Sequence, residues 1–103
     1  MAEILVNVEV TEADILTGQG KDCYSCPVAH AFDRKLKQGY IASVGYLTGR
    51  IHDKEQDSNF DSVHKFPIPM LVTDFIKSFD NGGPVETFSF SIFLPEEFVK
   101  SDQ

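Results

Sequence analysis

"KDCYSCPVAHAFDRKLKQG", residues 21–39, holds both cysteines of the chain, one of its three histidines and its densest basic cluster. As a metal clip, a redox pair or a capped helix it would imply three different proteins. A helix accounts for most of its letters. Ser25 or Cys26 stands at the N-cap, Pro27 falls in the first turn where its missing amide costs nothing, and Gly39 offers a left-handed residue to end the helix. Val28, Ala29, Phe32 and Leu36 form an apolar stripe, while His30, Asp33, Arg34 and Lys37 point elsewhere. The spacing predicts an amphipathic helix of about three turns.

Upstream, "EILVNVEV" (3–10) alternates strictly, with Ile4, Val6, Val8 and Val10 on one side, as a half-buried strand does. Thr11 can cap the next turn with Asp14 at its third position, a capping-box variant, and Gly18 and Gly20 keep that helix short. Downstream, "YIASVGYLTG" (40–49) reads as a second strand and "RIHDKEQDSN" (50–59) as a mobile charged loop or hairpin. "FDSVHKF" (60–66) resumes as a strand with Phe60, Ser62, His64 and Phe66 on one face, until "PIP" blocks further pairing. "PMLVTDFIKSFDNGG" (69–83) spaces Leu71, Val72, Phe75, Ile76 and Phe79 as a helix does, and Asn81, Gly82 and Gly83 stop it. "VETFSFSIFL" (85–94) alternates Phe88, Phe90, Ile92 and Leu94 against polar neighbours.

Half-apolar strands alternating with helices predict an α+β fold: one small domain over residues 1–95, a two-layer sandwich. Its sheet is mostly antiparallel with about four strands, first beside last, and two main helices pack on one face. Val6, Val8, Phe32, Leu36, Val44, Phe75, Ile76, Phe79, Phe90 and Ile92 are the expected core. Residues 96–103 are expected to form an acidic tail that frays.

With 103 residues, 42% hydrophobic, the chain can bury one core but hardly two. No apolar run approaches the roughly 18–20 residues of a membrane helix, and the acidic, alternating start is unlike a signal peptide. The protein is expected to remain in the compartment where it is made. Its formal charge is −7, of which residues 53–103 hold −6 (ten acids, four bases). Such a chain is repelled by nucleic-acid phosphates and anionic lipid, and a basic partner surface, such as that of a nucleic-acid-binding protein, suits it better.

Cys23 and Cys26 form C-x-x-C, and with His30 they would supply three of the four ligands of a zinc ion. The fourth, from His52, His64 or a carboxylate, has no motif to mark it, so no metal or cofactor is expected and folding should need none. A redox pair would follow directly on a central strand, whereas "TGQGKD" (17–22) precedes this one. Cysteine–histidine dyads lack a visible orienting carboxylate, and no G-x-S-x-G, Walker or G-x-G-x-x-G pattern is present. A non-enzymatic protein is the expectation. Arg34, Lys37 and Arg50 could grip an anion if they converge. Tyr24 and Tyr46, with the acidic run "HDKEQDSNFD" (52–61) and its Asp53, Glu55, Asp57 and Asp61, would suit an interface with a protein partner; Tyr40 and Phe93 are further exposed aromatic candidates.

"VNVEVTEADILTGQGKDCYSCPVAHAFDRKL" (6–36), then "SVG" (43–45), "FPIP" (66–69), "FIKSFDNGGPV" (75–85) and "ETFSFSI" (86–92), resembles a group of small uncharacterised bacteriophage proteins. Those carry T-x-x-D/H-I-x-x-G, then C-P-V/I-A-x-A, then F-D-x-G-x-P-V before an aromatic strand. The resemblance spans most of the chain and transfers no functional residue. It implies a phage accessory protein in the host cell cytoplasm that binds and blocks a host protein through an acidic surface, such as an inhibitor of CRISPR or another defence system. The alternatives are an oligomeric sponge for an anionic nucleotide signal and a small thiol-dependent or zinc-binding protein.

Overall fold

The alternating valines at the start of the chain find their partner at its far end. Strand β1 (Glu3–Val10) pairs antiparallel with β5 (Phe88–Pro95), Val6 opposite Ile92 and Val8 opposite Phe90, in this computed structural model, which describes residues 2–54 and 62–100. Val6, Val8, Val10, Phe90 and Leu94 are buried on the inner face of this ribbon. On the outer face Leu5 lies opposite Phe93, and both are exposed.

Helix α1 (Glu12–Thr17) opens with the expected capping box: Asp14 N–H donates to Thr11 Oγ1 at 3.3 Å and Thr11 N–H to Asp14 Oδ2 at 2.8 Å. Gly18 ends it, and a Cβ there would lie 2.6 Å from the Pro27 ring, so only glycine lets the chain pass. Helix α2 (Pro27–Asp33) starts with Cys26 as N-cap and Pro27 in its first turn. It runs seven residues, not the expected three turns. Beyond Asp33 the C-terminal segment captures the backbone: Leu36 bridges Val99, Lys37 N–H donates to Phe98 O at 2.9 Å, and Lys100 N–H donates to Lys35 O at 3.0 Å. Leu36 still reaches the core, but from an extended segment. Gly39, with φ +100°, belongs instead to the turn that starts the next strand.

Strands β2 (Tyr40–Val44), β3 (Thr48–Asp53) and β4 (Ser62–Pro67) form a second antiparallel sheet in the order β2–β3–β4. The stretch 40–49 is therefore not one strand, and Arg50–Asp53 is not loop. The chain turns at Gly45–Leu47, with Gly45 N–H donating to Thr48 O at 3.0 Å. Ile51 is fully buried on the inner face, and His52 is buried on the outer one. Gly49 leaves room for the Phe66 ring, which a Cβ would meet at 2.3 Å. The result is an α+β domain with sheets of two and three strands rather than one sheet of about four. Phe60, expected on β4, lies outside the described residues.

Helix α3 (Met70–Asp80) buries Val72, Phe75 and Ile76 and half-buries Phe79, while Leu71 faces outward. Every expected core residue is buried or packed against the core. The tail is not frayed through Lys100: Glu96–Phe98 form a 3-10 turn, and Phe98 and Val99 are buried. No helix among the described residues is long and apolar enough to cross a membrane.

Gly49→Ala tests the packing of the second sheet. Forcing the Phe66 ring aside should destabilise the domain by about 1–3 kcal/mol in urea melts. A variant as stable as the parent would show that the ring can move without cost.

Candidate functional site

The loop between α1 and α2 lies against the β2–β3 turn and the end of α3, and one carboxylate ties the three together. Asp80 Oδ1 accepts the Lys21 N–H at 2.8 Å, and Asp80 Oδ2 accepts the Tyr46 hydroxyl at 2.8 Å. Its hold on that proton raises the Tyr46 pKa. Lys21 adopts φ 62°, a left-handed conformation that a non-glycine residue takes only where its surroundings enforce it. Cys23 O accepts the Val44 N–H at 2.9 Å, so the loop continues the edge of β2. These elements enclose a pocket of about 290 Å³ lined by Lys21, Asp22, both cysteines, Tyr46 and Asp80 over Val44, Gly45 and Ile76.

The two thiols differ. Cys23 is exposed; Cys26 is buried, and its Sγ accepts the Ala29 N–H at 3.4 Å. Burial pushes the Cys26 pKa up against the pull of the Ala29 and Val28 amides. A thiol held protonated is a poor nucleophile and a poor metal ligand. His30 meets Thr17 Oγ1 at 3.5 Å, and His64 packs against Phe66 and Phe98. Among the described residues no group of three or more His, Cys, Asp or Glu is placed to hold a metal ion.

Arg34 is committed elsewhere. It forms a fork with Asp14, at 2.5 Å to Oδ1 and 2.7 Å to Oδ2, and donates to Glu9 O at 2.7 Å. Burial alone would raise the Asp14 pKa, but the hydrogen bonds from Arg34 and Thr11 outweigh it and hold the carboxyl below its ordinary value. Lys37 sits at the other end of the β2–β3 hairpin from Tyr46, and Arg50 lies between Ser43 and Lys65 on the sheet. Tyr24 covers His52, ring centroids 5.4 Å apart, and His52 Nε2 meets Ser43 Oγ at 2.8 Å, both buried. Asp53 is half-buried opposite Tyr40, while Glu55, Asp57 and Asp61 lie outside the described residues.

Of the interface candidates, Tyr46 gathers the most around it. Leu47 and Met70 are each 77% exposed, Leu71 56% and Tyr46 44%. Two bonds lock the segments that bear them: Thr73 Oγ1 donates to Tyr46 O at 2.6 Å, and Ile68 N–H to Leu47 O at 3.1 Å. Lys77 Nζ stands 5.9 Å from the centre of the Tyr46 ring, Asp22 and Asp80 line the pocket beside it, and the exposed Asp74 follows Met70 by about one turn of α3. Leu47 and Met70 escaped the sequence analysis because each sits beside a strand or helix pattern that explains an apolar residue without exposing it. Asp80 gave no signal, since its partners are brought to it only by the fold.

Arg34→Met should lower stability at pH 7 by roughly 1–3 kcal/mol, because a buried carboxylate loses its charged partner. With a depressed folded pKa, Asp14 contributes stability above about pH 4 that is lost as pH falls through the folded value. The gap between variant and parent in denaturant melts should therefore close in acid; a constant gap would refute the role of the pair. Thiol titration of native protein should label Cys23 rapidly and Cys26 only on unfolding. Comparison with family models, with curated proteins and with solved structures finds no match.

Proposed function

We propose that this chain is a non-enzymatic binding protein of bacteriophage origin that docks on a basic host protein and blocks it. The patch of Tyr46, Leu47, Met70 and Leu71 is the observation that carries this reading. A tyrosine and a methionine among aliphatic side chains, held on locked backbone and rimmed by charge, have the anatomy of an interface core. Asp22 and Asp80 beside Tyr46, the exposed Asp74 on α3 and the −7 charge of the chain favour a basic partner and speed its approach. The phage resemblance supplies the setting, in which a small protein acts by occupying a host surface. A thiol reaction is less well supported, since the Cys26 sulfur is engaged at a helix cap and burial keeps it protonated.

Tagged protein should retain one basic host protein from lysate, identified by mass spectrometry. Leu47→Asp combined with Met70→Asp should abolish that retention while leaving the melting temperature unchanged, since both side chains are exposed. The contact should also weaken as salt rises from about 0.05 to 0.5 M. Undiminished retention by the double variant would overturn the assignment of the surface.

A further inference from the structure

Both cysteines line the pocket beside Tyr46, with a turn over residues 23–25 leading from one to the other. We propose that Cys23 and Cys26 are a modification site, oxidised in place by a peroxide to an intramolecular disulfide.

The loop that carries them is fastened on itself and on its neighbours. Ser25 N–H donates to Asp22 O at 3.2 Å and Tyr24 N–H to Asp22 Oδ1 at 3.0 Å, and these bonds curl the chain between the cysteines. Gln19 N–H donates to Ser25 O at 2.8 Å, and Cys23 O accepts the Val44 N–H, so the turn is held at both ends. Closing a small ring on a loop already ordered in this way costs little further backbone entropy. Burial is the main reason the Cys26 pKa is raised, and a charge on Cys23 adds to it, which places the two sulfurs within electrostatic reach.

Their unequal exposure divides the chemistry between them. Cys23 is exposed, so its thiolate can meet a peroxide from solvent: the sulfur bonds to one oxygen, the O–O bond breaks and hydroxide leaves. The product is a sulfenic acid on Cys23. Cys26 is buried and has to reach only that sulfur. As its sulfur attacks, the S–S bond forms, the S–O bond breaks, and the Cys26 proton leaves with the hydroxide as water. With hydrogen peroxide, two thiols and one oxidant thus give one disulfide and two waters. A protonated thiol is a slow nucleophile, but fixed proximity offsets this for an attack within one loop. The pocket, of about 290 Å³, admits the small oxidant to the same space. The reaction modifies the chain and catalyses nothing, so it stands beside the docking reading without depending on it.

The site is tested by treating native protein with a small excess of hydrogen peroxide, then denaturing, alkylating and weighing it by mass spectrometry. The expected product is a monomer lacking two hydrogens, with both cysteines closed to alkylation until dithiothreitol reopens them. Cys26→Ser keeps a good helix cap but leaves the Cys23 sulfenic acid unresolved, so its capture by dimedone should rise about tenfold or more. Cys23→Ser should leave Cys26 reduced, its oxidation slower than that of the parent by about tenfold or more. Sulfinic acid on Cys23 of the parent beside a free Cys26 thiol, or disulfide-linked dimers in place of the monomeric product, would overturn the proposal. So would equal rates of oxidation in the parent and Cys23→Ser. The Leu47→Asp, Met70→Asp variant should form the disulfide at the rate of the parent, which keeps this test separate from that of the protein interface.

Discussion

The ring of Phe32 stands between two sheets that share no strand. It lies 5.1 Å from Phe66 of the three-stranded sheet and 5.6 Å from Phe90 of the two-stranded ribbon, and it is fully buried. From Phe90 the aromatic contacts continue through Phe88 to Phe75 of α3. A two-stranded ribbon is at best marginally stable alone in water. Here its inner face is covered because α2 brings Phe32, with Val28 and Ala29, against both sheets. The Cys26–Pro27 start that orients α2 is therefore as much a condition of the fold as the rings themselves.

The surface features depend on that placement. Cys26 ends the loop that Asp80 clamps, so the position of α2 also fixes Lys21, Cys23 and the pocket beside Tyr46. At its other end α2 stops where the C-terminal segment takes over the backbone near Leu36, and this crossing assembles a second pocket. One short helix thus sets two chemically different places: an apolar patch with acidic neighbours at one end of the hairpin, and a cleft lined by Asp33, Lys37, Lys54 and Lys100 at the other.

Local rules were enough for much of this. The period of two in 3–10 and 88–94 marked the partner strands, and Thr11 with Asp14 marked the start of α1. The ten expected core residues follow from the same periodicities. Long-range pairing decided the rest. Arg50 to Asp53 look like loop because their charge hides the inward Ile51, and only the opposing strands show that the stretch is paired. Leu36 continues a helical stripe by spacing, yet its backbone finds Val99, 63 positions on. Tyr46 was visible as an exposed aromatic, but its patch required Leu47, Met70 and Leu71 from two segments. Lys54 and Lys100 gave no hint of meeting Lys37, since nothing in a one-dimensional pattern brings positions 37, 54 and 100 together.

The β1–β5 ribbon also has a bearing on synthesis. Val6 leaves the ribosome long before Ile92, its partner, so β1 emerges with an apolar face and an open edge that nothing yet made can cover. Closing that gap joins residues more than eighty positions apart, a non-local contact of the kind that slows folding. Glu3 and Glu9 on the other face, with the polar Asn7 between them, then serve the nascent chain as well as the finished one: they keep the waiting strand charged while the remaining residues are added.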